Sequence, residues 1–249
     1  MRTEIPVEVL EYLDIIDSGT IAVCEEQKLF SQFVRRVFEN EYLYVDREKI
    51  DRYLSFQKYF PFDLFPWEKC LFVLHNCLFD SYGEPRFPDL FGLMGRGAGK
   101  NGYLAFEGFC LVTDVNDIPE YDIDICATSE DQARTSFDDI YNILENPKFS
   151  AKFRKHFRWN KTEIVNKRTG SKIKYRTNNA KGKDGLRSGA VFFDEVHAYI
   201  NWDNINVFTT GLGKKKHPRR TYMTTNGDVR DCVLDELIKK SLMIGRAHV

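Results

Sequence analysis

Apolar residues over the first ninety positions recur at helical spacing. In PVEVLEYLDIIDSG, Val7, Leu10, Leu13, Ile15 and Ile16 fall near one face, and Gly19 supplies a stop. KLFSQFVRRVFENEYLYV is a second apolar-periodic stretch, and Asp46 is suited to cap a third, DREKIDRYLSFQKYF. In LFPWEKCLFVLHNCLF, Pro66 suits the first turn of a fourth helix, where its missing N–H costs nothing.

From Leu90 the pattern changes to short apolar runs alternating with helical stretches. PDLFGLM reads as a strand, GRGAGKNG as a glycine-rich turn and KNGYLAFEGFCLVTD as a helix. YDIDICAT is a buried strand, after which Ser129 and Gln132 form a capping box opening SEDQARTSFDDIYNILEN. TEIVNKRTGSKIKYRT predicts a hairpin turned at Lys167–Gly170. GAVFFDE and RTYMTTN are two more strands, and DVRDCVLDELIKKSLM is a last helix. Strands alternating with helices predict an α/β fold: a mostly parallel sheet flanked by helices, preceded by an N-terminal helical segment. The expected organisation is a helical segment over 1–60, an α/β domain over 61–243 and a non-native tail over 244–249. That tail, IGRAHV, has no structural logic and reads like a translated sequencing-library adapter, so the natural chain is expected to continue differently.

Composition narrows the class. The 249 residues are 43% hydrophobic and 14% aromatic, which excludes intrinsic disorder. No apolar run approaches the ~20 residues of a membrane span, and the acidic, broken N-terminus is not a signal peptide. Six cysteines, at 24, 70, 77, 110, 126 and 232, show no CxxC pairing. They predict buried free thiols in a reducing compartment rather than a zinc site. Net charge is −1, but residues 1–90 carry 10 Lys+Arg against 17 Asp+Glu, and residues 148–187 carry 14 against two. The basic block predicts either a polyanion contact or a solvated hairpin face.

The candidate chemistry begins at Gly95-Arg96-Gly97-Ala98-Gly99-Lys100-Asn101, between a strand and a helix. Glycines let successive N–H groups face an anion, a helix N-terminus adds its dipole, and a lysine reaches the outer phosphates. Met94 stands where the GxxxxGK[ST] pattern has its first glycine. Asn101 replaces the hydroxyl residue that touches Mg²⁺, offering a carbonyl oxygen from a longer side chain. Gly97, Gly99 and Gly102 also spell GxGxxG, with Asp122 and Asp124 about twenty residues on, a dinucleotide-binding alternative that the lysine and the downstream acids disfavour. Those acids are Asp194 and Glu195, closing a hydrophobic strand: the first suits a Mg²⁺ shell and the second the polarising of an attacking water. Thr224-Thr225-Asn226 closes the next strand and reads as a γ-phosphate sensor or a turn before Gly227. Arg96 is a candidate for neutralising charge on a transferred phosphoryl group. His197 reads as structural. Phe65-Pro66-Trp67-Glu68-Lys69 either lies against an adenine or simply starts a helix around a buried Trp.

The PW pair before the loop, MGRGAGKN, ATSEDQARTSFDDIYNIL, GLRSGAVFFDEVHAY and YMTTNGD together resemble the large terminase subunit of tailed bacteriophages, in its N-terminal packaging ATPase. The resemblance runs from about residue 25 to 240. It implies a RecA/ASCE-like P-loop NTPase using ATP and Mg²⁺, with phosphates on Lys100 and Arg96 and the loop from Gly95 to Asn101. It further implies Mg²⁺ on Asp194, to which the loop's own Asn101 carbonyl would be added, water activation by Glu195, and coupling of hydrolysis to DNA movement by Thr224, Thr225 and Asn226. Trp67 and Glu68 fall where the family's adenine motif usually reads Trp-Gln; Glu68 accepts from an adenine amino group but cannot donate. The implied partners are double-stranded DNA, the portal, the small terminase subunit and further copies in a ring, with no membrane. The implied setting is the infected host's cytoplasm, docked on a procapsid. The family's metal-dependent nuclease half is not expected in these residues. The fragment is expected to bind ATP and to hydrolyse it poorly alone. Three other readings stay open: a superfamily 2 helicase, because Asp194-Glu195-Val196-His197 spells DExH, a nucleotide-gated DNA-binding module without hydrolysis, and an interaction scaffold that binds no nucleotide.

Overall fold

Each helix of the N-terminal segment starts where the sequence supplies a partner for its first turn or tolerates having none. In the computed structural model, which describes residues 3–177 and 187–246 (side chains to 243), α1 (Val7–Asp17) follows Pro6, and Gly19 turns the chain at φ +67°. α2 (Glu25–Asn40) opens with the Cys24 N–H donating to Gln27 Oε1 at 2.9 Å. It stops earlier than its apolar period predicts. Glu41 is extended, and the aromatic, β-branched residues beyond it form β1 (Tyr44–Val45), antiparallel to β2 (Leu78–Phe79). Asp46 caps α3 (Arg47–Leu54) by accepting from the Lys49 N–H at 3.0 Å, and α4 (Pro66–Asn76) holds Pro66 in its first turn.

The remaining elements are β3 (Asp89–Leu93), α5 (Lys100–Val112), β4 (Asp122–Ala127), α6 (Glu130–Glu145), α7 (Ser150–His156), β5 (Phe157–Trp159), β6 (Ile164–Asn166), β7 (Lys172–Thr177), β8 (Ser188–Asp194), α8 (Asp203–Thr209), β9 (Arg219–Thr224) and α9 (Val233–Arg246). Ser129 Oγ accepts from the Gln132 N–H at the start of α6, as its spacing predicts. The hairpin turn holds too: Asn166 Oδ1 accepts from the N–H groups of Arg168 and Thr169, and Gly170 sits at φ +75°. Of the proposed tail, the backbone of 244–246 belongs to α9 and 247–249 lie outside the described residues. Five of the six cysteines are buried free thiols, and Cys24 is exposed.

Among the described residues, seven strands form one sheet in the order β3-β9-β8-β4-β7-β6-β5, parallel from β3 to β7 and antiparallel beyond. β9 therefore lies between the strand that precedes the glycine loop and the strand that ends in Asp194. Side chains of β8 alternate between two cores. Ala190 and Phe192 join a large cluster with α5, α6 and the N-terminal helices; Val191 and Phe193 join a smaller one with Ile205, Phe208 and Val233. α5 is thus enclosed by the sheet on one side and the N-terminal segment on the other, with Tyr53 edge-on to Phe72 at 5.6 Å and Phe60 edge-on to Phe106 at 5.3 Å. Removing one such ring costs about 3–5 kcal/mol.

A sealed polar cluster pins α5 to its neighbours. Glu107 of α5 accepts from Asn76 Nδ2 of α4 at 2.8 Å and from the Thr221 hydroxyl of β9 at 3.0 Å. His75 Nδ1 donates to the Phe87 carbonyl at 2.7 Å, leaving Nε2 to face Thr221. Burial drives the Glu107 carboxyl up to about 7 and His75 down to about 3, Arg219 adding to the second shift. Both groups thereby favour their neutral forms where water cannot solvate a charge.

Candidate functional site

The glycine loop leaves β3 along the tip of β9. The Met94 N–H donates to the Thr224 carbonyl at 3.1 Å, carrying the ladder one residue past the strand. Gly97 and Gly99 then adopt φ +77° and +96°, where a Cβ is strained. Gly99 is the N-cap of α5 and contributes no side-chain acceptor, so the first-turn N–H groups are left for another partner. A Cβ on Gly99 would sit 2.7 Å from Glu68 Oε1. Lys100 follows in the first turn, 7% exposed, and its Nζ lies 3.8 Å from Glu195 Oε1.

Asp194 and Glu195 leave the tip of β8. Asp194 is buried, its Oδ1 accepting from the Glu195 N–H at 2.9 Å. Burial, and then the neighbouring Glu195 charge, push its carboxyl up to about 6, against the pull of Lys100. Glu195 sits at φ +52°, which swings its carboxylate off the strand line toward Lys100 on one side and β9 on the other. Thr225 donates to Glu195 Oε2 at 3.4 Å, and Thr224 donates to the Thr225 carbonyl at 2.7 Å. Asn226 is exposed beyond them.

These tips frame a cavity of about 600 Å³ lined by Arg96, Gly97, Gly99, Lys100, Asn101, Gly102, Gln132, Glu195, His197 and Thr225. Gly95 and Ala98 belong to the loop but are not among the lining residues, and Asp194 lies behind the lining. Arg96 is exposed and makes no ion pair among the described residues. Backbone donors and two cations suit a polyphosphate, and the carboxylate beside them suits a proton acceptor. The fit to Mg²⁺ is of a particular kind. No group of three or more His, Cys, Asp or Glu converges among the described residues, so the chain offers no all-protein cage. Mg²⁺ favours one or two carboxylates shared with substrate phosphates, and the raised Asp194 carboxyl, crowded by Glu195, is a donor that a cation would relieve.

An adjoining cavity of about 730 Å³ shares Gly99 and Gly102 and is walled by the rings of Tyr59, Phe60, Phe62, Phe65 and Phe149, with Glu68, Asp139, Asn142 and Asn146 at its polar positions. Glu68 is committed to helix α4: its Oε2 accepts from the Phe65 N–H at 2.7 Å, and burial pushes the carboxyl up to about 7. Trp67 turns away from both linings and stacks on Tyr103 at 6.0 Å. Phe60, Pro61, Phe62 and Asp63, with Gln132 and His197, are lining residues that the site motifs do not flag. The dense phenylalanines of FPFDLF are the available signal.

Other readings fare differently. Asp122 accepts from the Lys172 N–H, and Asp124 is buried against Arg176 and Ser188, on a strand separated from β3 by β9 and β8. The GxGxxG alternative fails on that strand order. In the basic block, residues 178–186 lie outside the described residues. Within the rest, Arg154 pairs with Glu145, Arg168 with Asp114 and Asp117, Lys174 with Glu163 and Arg176 with Asp124. Lys148, Lys155, Arg158, Lys161 and Arg187 are exposed.

A strand inserted between the loop strand and the acid strand, with the loop opening a helix whose lysine faces an acid across the tips, defines a P-loop α/β fold of the RecA/ASCE-like kind. Residues 75–241 match the family model described as "Terminase large subunit, ATPase domain", and the chain belongs to that family. Among solved structures, the large terminase of bacteriophage HK97 aligns with a TM-score of 0.65 at 17% identity, over 78% of this chain and 41% of that one. The large terminase of a thermophilic bacteriophage aligns at 0.48 and 12% identity, over 80% and 44%. The ATPase domain of the Thermus phage P74-26 large terminase aligns at 0.41 and 15% identity, over 56% and 60%. No curated protein matches. The chain thus spans about two fifths of the HK97 protein, and no helix of the described residues is long and apolar enough to cross a membrane.

Proposed function

We propose that this chain is the ATP-hydrolysing part of a DNA-packaging motor, driving double-stranded viral DNA into a procapsid. The observation that carries the reading is the approach of Lys100 Nζ to Glu195 Oε1, 3.8 Å apart across a cavity floored by the glycine loop. In this reading the Gly97, Gly99 and Lys100 backbone holds the β- and γ-phosphates, Lys100 and Arg96 neutralise their charge, and the aromatic cavity takes the base beside Glu68. Asp194 and Asn101, with phosphate oxygens, would hold Mg²⁺, which supplies charge neutralisation at the phosphates when bound. Glu195 accepts a proton at its carboxylate as water oxygen forms its bond to the γ-phosphorus and the bridge to the β-phosphate breaks. Thr225, already on Glu195, and Thr224 carry the change into β9. Arg96 is exposed, which suits a site completed by a neighbouring copy in a ring. Portal and small-subunit contacts, DNA contacts by the exposed basic residues, and a setting in the cytoplasm of an infected bacterium docked on the procapsid belong to the same proposal. Endonuclease activity is assigned to none of these residues.

The test is ATP turnover by the chain against Lys100→Ala and Glu195→Gln. Each substitution is expected to lower kcat by roughly 100-fold or more. Turnover unchanged in both would overturn the assignment.

A further inference from the structure

His197 faces two acceptors at once, and the arrangement fixes its tautomer. Its Nδ1 is 3.1 Å from Glu195 Oε2 and 3.0 Å from Thr224 Oγ1. The carboxylate oxygen only accepts. The one proton of the Thr224 hydroxyl is directed to the Thr225 carbonyl at 2.7 Å, so that oxygen accepts as well. An Nδ1 without hydrogen would meet lone pairs on both sides; Nδ1–H satisfies both. The backbone N–H of His197 donates to the same Thr224 oxygen at 3.0 Å, so main chain and ring grip a single hydroxyl at the tip of β9.

The turn after β9 is shaped to keep the ring there. A Cβ built on Gly227 would lie 2.7 Å from the His197 Cβ and 2.8 Å from its Cδ2. The imidazole therefore lies directly against the Gly227 α-carbon, and Gly227 has no positive φ to explain its lack of a side chain. Contact with His197 is the reason the structure gives for glycine at this position.

We propose that His197 is a positioning residue that ties the Glu195 carboxylate to the Thr224–Gly227 turn through Nδ1–H, so that movement of the carboxylate moves the tip of β9. The proposal rests on the reading of Lys100 and Glu195 as a nucleotide site. Glu195 is held on Oε1 by Lys100 at 3.8 Å, and on Oε2 by His197 at 3.1 Å and at the longer distance of 3.4 Å by the Thr225 hydroxyl. A triphosphate that engages Lys100 releases the hold on Oε1 and leaves those on Oε2, of which His197 is the shorter. The carboxylate then turns with the imidazole and the hydroxyl it grips.

The conservative variants separate this from a packing role. An Asn side-chain amide reaches the position of Nδ1–H, whereas a Gln amide reaches that of Nε2. Steady-state turnover of Mg·ATP by the chain is expected to fall about 10-fold in kcat, with KM changed less than about 2-fold, for His197→Gln and for Gly227→Ala. His197→Asn is expected to stay within about 3-fold of wild type. The same variants are to be compared by amide hydrogen exchange at residues 225–228, with and without a non-hydrolysable ATP analogue plus Mg²⁺, which reads the coupling even at slow turnover. The analogue is expected to change exchange there in wild type and His197→Asn, and to leave it unchanged in His197→Gln at saturating analogue. Equal behaviour of the Asn and Gln variants, or an exchange response retained in His197→Gln, overturns the proposal. Failure of wild type to bind the analogue at all overturns the nucleotide reading itself, and this proposal with it.

Discussion

Two polar clusters join the same pair of elements, α5 and β9, and they differ in nearly every other respect. The inner one, Glu107 with His75, Asn76 and Thr221, is sealed in the core, and burial favours its neutral state. The rim one, Lys100 with Glu195, His197, Thr224 and Thr225, opens on a cavity and includes a cation 3.8 Å from a carboxylate. In a buried cluster each broken hydrogen bond costs about 1–3 kcal/mol, so the bonds onto Glu107 and the Phe87 carbonyl favour one arrangement, with Asn76 Oδ1 the buried atom left without a partner. The rim pair is looser: Lys100 is buried, but Glu195 is part-exposed on the cavity and 3.8 Å away, beyond hydrogen-bond distance, so the lysine can exchange this partner for a ligand. Glu107 of the inner cluster bonds α5 directly to Thr221 of β9, whereas in the rim cluster Lys100 of α5 reaches the tip of β9 through Glu195.

The sharpest break of this division is at Glu107. Its carboxyl, raised by burial to about 7, favours the folded state while protonated, so its contribution is fully present below the ordinary carboxylate range and is lost as pH rises through 7. Between pH 5 and 8 the wild-type chain is expected to lose stability relative to Glu107→Gln by an amount on the order of 3 kcal/mol, read as the shift in denaturant midpoint. Asp194, raised to about 6, adds the same sign of slope and is common to both proteins. A midpoint that falls equally in both proteins would mean that Glu107 is charged and solvated, and the contrast between the clusters would collapse.

A smaller effect sharpens the boundary at the rim. Gly99→Ala places a side chain at φ +96° and against Glu68 Oε1, straining the loop while leaving the inner cluster untouched. The expected cost in stability is about 1–2 kcal/mol. A larger loss is expected in nucleotide affinity, measured by titration, because the proposed reading puts the phosphates on the strained N–H groups. Affinity preserved alongside that loss of stability would show that the loop backbone does not grip phosphate.

The sequence makes part of this legible and conceals the rest for physical reasons. The glycine loop, the lysine and the Asp194-Glu195 strand end can be read because their chemistry is local: positive φ, a helix N-terminus and an apolar run ending in acids. Most sheet strands and the long helices are readable from period alone. The insertion of β9 between β3 and β8 is not, since strand order is decided by packing that no local window contains. Tyr44–Val45, α7 and α8 are too short to carry a period and exist because their neighbours do. Glu107 reads as one more polar residue on a helix until the fold encloses it. His197 reads as structural in the sequence; its contacts with Glu195 and Thr224 come from a turn of the backbone at φ +52° that residue type does not announce.

The central claim is that Lys100 and Glu195 face one triphosphate, and equilibrium binding of Mg·ATP to wild type, Lys100→Ala, Glu195→Gln and the double variant tests it directly. Because Glu195 occupies Lys100 in the free chain, Glu195→Gln is expected to tighten binding about 5-fold, the order of ~1 kcal/mol for such a pair, when Lys100 is present. In the Lys100→Ala background the same change is expected to have no effect. Equal effects in the two backgrounds would contradict the account.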